Sequence, residues 1–198
     1  MIAVVDYGMG NLRNVRRAIE QFGVEVCVSN RLDEIRRADA LILPGVGAFG
    51  EAVKRIEALA LRQALLDFAA SGKPLLGICL GMQLLFERSE ESPGAAGLGL
   101  LRGTVKRFGG GVKVPHIGWN DILPSSDGSV VGMQDAGSCF YFVHSYYVPE
   151  SDATIARTDY GLPFTSVVQR ENVVGTQFHP EKSQAAGRRL LERFVHLH

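Results

Sequence analysis

The sequence has few cysteines, and none of them lies in a pattern typical of a disulfide or zinc site. Cysteines stand at positions 27, 79 and 139, an odd number with wide gaps, without a C-x-x-C pair or a Cys/His pair at zinc spacing. A disulfide framework and a structural metal site are therefore not indicated. We expect a protein of the reducing cytoplasm that uses neither a metal nor a cofactor.

Long hydrophobic runs and an excess of charge of one sign are also lacking. The apolar runs are far shorter than a membrane span, and the N-terminus lacks the basic segment of a signal peptide. The 21 Lys and Arg residues equal the 21 Asp and Glu residues, so charge gives no argument for nucleic acid or an anionic membrane as a partner. The 198 residues contain no repeat or linker and are expected to form one domain, residues 1–198.

The first half of the chain alternates between strand and helix patterns. Strands are predicted at residues 2–5, 24–28 and 40–43 and in the apolar run before Cys79, and helices at residues 12–22, 32–37, 49–58 and 62–70. Asn11 is placed to cap the first helix. The order βαβαβαβ predicts a parallel sheet with helices on both faces. Residues 6–10, residues 44–47 and Cys79 follow such strands, so we expect them to meet in one crevice.

The second half is predicted to add antiparallel or mixed strands to this parallel core. Turn clusters rich in Gly, Pro, Ser and Asp separate the strand candidates at residues 100–108, 121–123, 138–144, 154–157, 164–170 and 173–179. A last helix is predicted over residues 183–197.

The segment Gly77-Ile-Cys-Leu-Gly81 has the form of a nucleophile elbow, G-x-nucleophile-x-G. Two glycines leave room for a sharp turn from the strand into a helix over residues 80–86. Cys79 would then lie at a helix N-terminus, where the dipole favours the thiolate. The alternative is that Cys79 is one more buried small hydrophobic residue.

A cysteine nucleophile needs a base, and His179 is the strongest of the five histidines. It ends an apolar strand, whereas His196 and His198 lie at the end of the chain and are expected to be solvated. In an extended chain His179 and Glu181 point to the same side, so Glu181 could fix the imidazole tautomer. The alternative is a loop with an exposed histidine.

Acyl transfer also requires an oxyanion hole. The N–H group of Leu80 is one candidate donor, and the Val46 peptide between two glycines is the second. Taken alone, the Val46 segment favours a simple strand-to-helix turn, and only its expected position beside Cys79 favours the oxyanion role.

Residues 77–83, together with His179-Pro-Glu181, resemble the class I (triad-type) glutamine amidotransferases. Within that family the chain is similar to the glutaminase subunits of imidazole glycerol phosphate synthases of histidine biosynthesis. The motifs span almost the whole chain in the expected order, at residues 6–14, 44–50, 82–87, 115–120, 141–146 and 179–183. The Gly-Trp-Asn and Pro-Glu-Lys-Ser segments separate it from relatives such as anthranilate synthase and GMP synthetase. The implied fold is a mainly parallel, flavodoxin-like α/β sheet with added antiparallel strands.

The resemblance implies that Cys79 attacks glutamine, that His179 protonates the leaving ammonia, and that water hydrolyses the glutamyl thioester. The ammonia would pass to a (β/α)₈ cyclase subunit in a heterodimer, which makes imidazole glycerol phosphate and aminoimidazole carboxamide ribonucleotide. The oxyanion strand, residues 45–47, would complete its geometry only when the loaded partner docks. By resemblance, glutamine contacts Gly47, Gln83 and the main chain of Ser145 and Tyr146, and the partner faces Asn11, Trp119, Tyr141 and Lys182.

Three alternatives remain open from the residues. Trp119 and Tyr141 could equally be core aromatic residues. The chain could be a different enzyme, either the glutaminase subunit of another synthase or another thiol enzyme of similar architecture, such as a γ-glutamyl hydrolase or a cysteine peptidase. It could also be a non-catalytic binding or regulatory module, although the intact Cys79, His179 and Glu181 argue against that.

Overall fold

The computed structural model describes residues 1–197, which form an α/β structure with six helices. In chain order the elements are β1 (Ile2–Val5), α1 (Leu12–Glu20), β2 (Val26–Ser29), α2 (Leu32–Arg37), β3 (Ala40–Gly45), α3 (Phe49–Ala58), α4 (Leu61–Ala70), β4 (Leu75–Cys79), α5 (Leu80–Leu84), β5 (Phe86–Ser89), β6 (Leu101–Arg107), β7 (His116–Asp121), β8 (Leu123–Pro124), β9 (Cys139–His144), β10 (Tyr146–Tyr147), β11 (Thr154–Asp159), β12 (Pro163–Arg170), β13 (Val173–Thr176) and α6 (Gln184–Val195). Two short 3₁₀ turns cover Met133–Asp135 and Pro180–Lys182.

An eight-stranded sheet in the order β2-β1-β3-β4-β13-β12-β11-β8 forms the centre of the fold. Its first five strands are parallel, and the last three add to β13 in antiparallel pairs. The predicted α/β sheet with added antiparallel strands is therefore confirmed. Two smaller sheets, β10-β6-β5 and β7-β9, complete the architecture.

Both faces of the parallel strands β1, β3, β4 and β13 are buried, which explains their continuous apolar sequences, whereas the edge strand β2 is only partly buried. In β1, Ala3 and Val5 pack into one hydrophobic cluster, whereas Ile2 and Val4 pack into another on the opposite face. Helices α3 and α4 contribute to the first cluster and helices α1 and α6 to the second. The carboxyl end of the sheet thus remains available for a site between rigid elements.

Strands β5 and β10, and all of β7 before Asp121, were not predicted from the sequence. In β7 the usual pattern is inverted, because His116 is buried while Ile117 and Trp119 are exposed. The strand predicted at residues 121–123 is in fact the end of β7 and the start of β8, separated by the buried Ile122. Strand β5 begins directly after α5, so the helix predicted to reach residue 86 ends at Leu84 instead.

Several other boundaries differ from prediction by a few residues. The strand predicted at residues 173–179 ends at Thr176, and the last helix begins after Ser183 and ends at Val195. His196, expected to be solvated, is exposed and lies 2.6 Å from the Glu192 carbonyl oxygen through Nδ1. His198 lies outside the described residues. Over residues 1–197, none of the helices has the length and apolar character that crossing a membrane requires.

A partly buried ion pair joins the Met133–Asp135 turn to helix α6. Arg193 Nη1 donates to Asp135 Oδ2 at 2.5 Å and to the Val130 carbonyl at 3.1 Å, and the Gly132 N–H donates to Asp135 Oδ2 at 2.9 Å. Burial alone would raise the pKa of Asp135, but these donors and the nearby positive charge hold it below its ordinary value. The Asp135 carboxylate therefore stabilises the fold in its ionised form.

We expect Asp135→Asn to lower the free energy of unfolding by about 2 kcal/mol at pH 7, since a charge-assisted hydrogen bond is lost. A carboxyl whose pKa is lower in the folded state than in the unfolded state stabilises the fold fully above its unfolded pKa of about 3.9. This contribution to the free energy of unfolding is lost as the pH falls through the folded pKa. Denaturant titrations at pH 7 and pH 3.5 should show the difference between the two proteins shrinking in acid. Glu20→Gln, which breaks the exposed pair with Arg16, is the control and should change stability by less than about 0.5 kcal/mol. A pH-independent difference would contradict the assignment.

Candidate active site

Strand β4 ends in the sharp turn that the glycine-flanked sequence predicted. Cys79 has φ +54°, a strained backbone conformation for a residue with a side chain. At Gly81 a Cβ atom would lie 1.8 Å from the Leu43 carbonyl oxygen, and at Gly77 one would lie 2.8 Å from the Gly81 backbone. Helix α5 can therefore pack directly on the sheet only because both side chains are absent.

The Cys79 sulfur has two polar neighbours from other elements. Gln177 Nε2 donates toward Sγ at 3.7 Å, and Sγ as a thiol can donate to the Val143 carbonyl at 3.8 Å. Helix α5 has only five residues, so the predicted support from a helix end is smaller than expected. Cys79 is buried, as the alternative required, yet it also lines a cavity.

His179 and Glu181 meet, although not in the way the sequence predicted. The chain is not extended here: the Pro180–Lys182 turn brings His179 Nδ1 to 2.8 Å from Glu181 Oε1, with both side chains buried. Because a carboxylate accepts, Nδ1 carries the proton, and Nε2 makes no hydrogen bond to the described protein atoms. Burial alone would lower the pKa of His179, but Cys79 and Glu181 together raise it to about 10.

Strand β9 holds the His179 turn from both sides. The His179 N–H donates to the Tyr141 carbonyl at 2.9 Å, and the Tyr141 N–H donates to Ser183 Oγ at 3.0 Å. Ser183 Oγ in turn donates to the His179 carbonyl at 2.6 Å. The imidazole therefore has a fixed position relative to β9 as well as to Glu181.

These side chains line one cavity of about 340 Å³. All of the candidate nucleophile, base, oxyanion and substrate residues except Glu181, which lies behind the imidazole, contribute to its wall: Cys79, His179, Val46, Leu80, Gly47, Gln83, Ser145 and Tyr146. Residues 44–47 and Cys79 thus converge as predicted. Residues 6–10 do not line the cavity; Tyr7 backs it, because its hydroxyl donates to the Pro44 carbonyl at 2.7 Å.

Glu91 also lines the cavity and was missed by the sequence reasoning. Its Oε2 accepts the Phe49 N–H at 2.7 Å at the start of helix α3. Among the described residues lining the cavity, it is the one carboxylate. The only sequence signal was the Ser-Glu-Glu-Ser cluster at residues 89–92, which is equally typical of an exposed turn.

Gln83 is buried rather than exposed, and its amide nitrogen is fully used. Nε2 donates to the Tyr146 carbonyl and to Gln177 Oε1, each at 3.1 Å. Two donated bonds use both of its protons, so a ligand could contact only its Oε1 atom. The carbonyls of Ser145 and Tyr146 also accept bonds within the protein, so a ligand would meet the N–H groups of these residues.

A pair of buried histidines holds the same cavity wall. His144 Nδ1 lies 2.8 Å from the Tyr146 carbonyl and must donate to it, so its Nε2 accepts from His116 Nδ1 at 3.0 Å. Burial lowers the pKa of His144 to about 3 and that of His116 to about 4. Both rings are therefore neutral at pH 7 and act as fixed hydrogen-bond partners.

Three of the four predicted partner-facing residues contact one another. Trp119 is 49% exposed and contacts Tyr141 edge-on with ring centroids 6.1 Å apart, while Lys182 Nζ lies 5.6 Å from the Tyr141 ring centre. The alternative that Trp119 is a core residue is therefore wrong, and Tyr141 is half-buried. Asn11 caps helix α1 as predicted, since its side chain accepts the Asn14 N–H at 3.4 Å.

Known structures share the fold at low sequence identity. A glutamine amidotransferase crystal structure superimposes with a TM-score of 0.77 at 21% identity, covering 98% of this chain and 97% of that chain. PurLQS from Thermotoga maritima gives a TM-score of 0.74 at 22% identity, covering 98% of this chain and 96% of that chain.

Curated relatives are much more similar in sequence. Each of the following is named imidazole glycerol phosphate synthase subunit HisH: the protein of Thermococcus kodakarensis is 52% identical over the full length of both chains, that of Methanothermobacter thermautotrophicus is 48% identical over 100% of this chain and 98% of its own, and that of Bacillus subtilis is 47% identical over 98% and 95%. The family model of the class-I glutamine amidotransferases matches residues 3–197. The chain belongs to the class-I glutamine amidotransferase family.

Proposed function

We propose that this chain is the glutaminase subunit of an imidazole glycerol phosphate synthase and that it releases ammonia from glutamine through Cys79. The observation that supports this most strongly is the meeting of Cys79 and His179 on one cavity, with Glu181 bonded behind the imidazole. The names of the relatives support the choice of imidazole glycerol phosphate synthase as the complex to which the subunit belongs.

The geometry suggests a two-step acyl transfer. Cys79 Sγ attacks the side-chain carbonyl carbon of glutamine, and the His179 imidazolium gives its Nε2 proton to the leaving nitrogen, which departs as ammonia. The neutral imidazole then takes a proton from water as the water attacks the thioester, and glutamate leaves as the thiolate is restored. General acid–base catalysis of this kind typically raises the reaction rate by about 10²–10⁴-fold. The raised pKa of His179 keeps the acid form available at the start.

The oxyanion of each tetrahedral intermediate needs donors beside Sγ, and we assign the N–H groups of Leu80 and Val46. Gly45 pairs with Cys79 in the β3–β4 register, so the Val46 peptide follows directly opposite the nucleophile. A Cβ at Gly45 would lie 2.5 Å from the Tyr7 hydroxyl and 2.8 Å from Leu80 Cβ, whereas Val46 is 41% exposed. The strand is therefore tightly packed up to Gly45, whereas the next peptide, Val46, lies between two glycines, and we expect its rotation to cost little.

For substrate binding we assign Gly47, Gln83 and the main-chain N–H groups of Ser145 and Tyr146, and we add Glu91. Glutamine carries an α-ammonium group, and a carboxylate is the side chain that pairs with it best. Since Glu91 is fixed by the Phe49 N–H, it offers a preformed negative charge at the cavity wall.

The proposed partner is a (β/α)₈ cyclase subunit, in a heterodimer, that receives the ammonia and holds the phosphate-bearing substrate. Its docking face would include Asn11, Trp119, Tyr141 and Lys182. The half-exposed Trp119 beside Tyr141 and Lys182 has the aromatic and cationic character enriched at the centre of interfaces.

We expect Cys79→Ala, mixed with the cyclase subunit, to lose glutamine-dependent imidazole glycerol phosphate synthesis by more than about a thousandfold. Synthesis from added ammonium should persist near the wild-type rate, because the cyclase does not need the thiol. Product formation with each nitrogen source measures both rates in one assay. Loss of both activities would mean that Cys79 has a structural role instead.

The isolated chain should be a poor glutaminase, because the Val46 peptide would complete the oxyanion hole only when the loaded partner docks. Glutamate release should rise by at least about tenfold, the equivalent of about 1.4 kcal/mol of barrier, when the cyclase subunit and its nucleotide are both present. Equal release with and without them would rule out this gating.

We expect Glu91→Gln to raise the KM for glutamine by about 10–100-fold with a much smaller change in kcat, since one charge-assisted bond is lost. The amide side chain introduced at position 91 retains an oxygen that can accept the Phe49 N–H, so helix α3 should remain capped. Glu90→Gln is the matched control, because Glu90 is exposed and accepts the Arg107 N–H away from the cavity. A fall in kcat at unchanged KM would show that Glu91 does not bind the ammonium.

A further inference from the structure

The sulfur of Cys79 has one contact that the mechanism above leaves unused. Gln177 Nε2 lies 3.7 Å from Sγ, and the Gln177 side chain is fully buried. Gln177 follows β13 directly, two residues before His179, and its N–H donates to the Ser166 carbonyl of β12 at 2.9 Å. The amide is therefore presented to the nucleophile from the rigid centre of the sheet.

The hydrogen bonds around Gln177 decide which end of its amide faces the sulfur. The Tyr146 carbonyl can only accept, so the group of Gln83 that contacts it must be the NH₂. The same NH₂ contacts Gln177 at 3.1 Å, which must then present its oxygen. The other end of the Gln177 amide, the one that faces Sγ, is therefore the NH₂ donor.

We propose that Gln177 is a catalytic residue that donates a hydrogen bond to the Cys79 sulfur and stabilises the thiolate relative to the thiol. This rests on the proposed function of Cys79 as the nucleophile. A donor to the charged form of a group favours that form, whereas the Val143 carbonyl on the other contact of Sγ favours the protonated thiol.

A primary amide suits this task because it does not titrate near neutral pH. It cannot take the proton that His179 must hold and deliver, so the two groups do not compete for the same role. The thiolate is present before attack and again when the thioester is cleaved, so one donor acts at both steps. Helix α5 has only five residues, so its dipole stabilises the thiolate little. The hydrogen bond from Gln177 is therefore a larger share of the thiolate's stabilisation.

The test is the pH dependence of Cys79 alkylation by iodoacetamide, followed by peptide mass spectrometry so that Cys27 and Cys139 are counted separately. In Gln177→Met, which keeps the length and removes the donor, alkylation of Cys79 at pH 7 should be about tenfold slower than in the wild type, because the thiolate loses a hydrogen bond. In Gln177→Glu the alkylation should be slower still, since a carboxylate would face the thiolate.

Gln169→Met is the matched control. Gln169 lies on the neighbouring strand β12, and its amide bonds Ser129 and Glu171 rather than the sulfur. Its alkylation profile should equal that of the wild type. Thermal melting of each variant checks folding, and in the complex with the cyclase the Gln177 variants should lose kcat with little change in KM.

An unchanged rate of Cys79 alkylation in either Gln177 variant that melts cooperatively would overturn the proposal and leave Gln177 as a core residue. This outcome is distinct from a failure of the proposed function. If the wild-type complex did not hydrolyse glutamine, the alkylation profile would still report whether Gln177 stabilises the Cys79 thiolate.

Discussion

The site depends on a backbone turn that two absent side chains make possible. With no Cβ at residues 77 and 81, helix α5 lies directly against the Leu43 carbonyl and the end of β4, and Cys79 takes a positive φ at the junction. This close packing also sets what surrounds the sulfur, because β3 continues from Leu43 to the Val46 peptide opposite it. The strain at Cys79 is therefore what places a nucleophile and a potential oxyanion donor at a fixed distance.

Strand β9 connects the exposed aromatic face with the cavity. The Tyr141 ring lies beside Trp119 on the outside. The Tyr141 main chain bonds both ends of the His179 turn, because its carbonyl accepts the His179 N–H and its N–H donates to Ser183 Oγ. Two residues later the Val143 carbonyl contacts Cys79 Sγ. A partner docked on Trp119 and Tyr141 would thus press on one strand whose backbone touches both members of the thiol–imidazole pair.

The parallel half of the fold was readable from the sequence because its strands are buried on both faces and its helices have regular apolar spacing. Helices α2 and α3 have the predicted boundaries. The elbow was also readable, since only glycine fits at both flanking positions. Strand β7 was not, because its buried member is a histidine and its exposed members are Ile117 and Trp119. Contacts made across distant segments, such as Glu91 on the cavity and Gln177 on the sulfur, leave no local pattern to read.

The two histidines of the cavity show how environment alone assigns their chemistry. His144 and His179 both line the same wall, and burial acts on both to lower the pKa. His144 has a carbonyl and a second neutral histidine as hydrogen-bond partners. Burial lowers its pKa by more than the bond to the Tyr146 carbonyl raises it, so the ring stays neutral. His179 has Glu181 on one side and Cys79 on the other, and these negative partners outweigh burial. One ring is therefore restricted to holding the wall, and the other can carry the proton that a leaving ammonia requires.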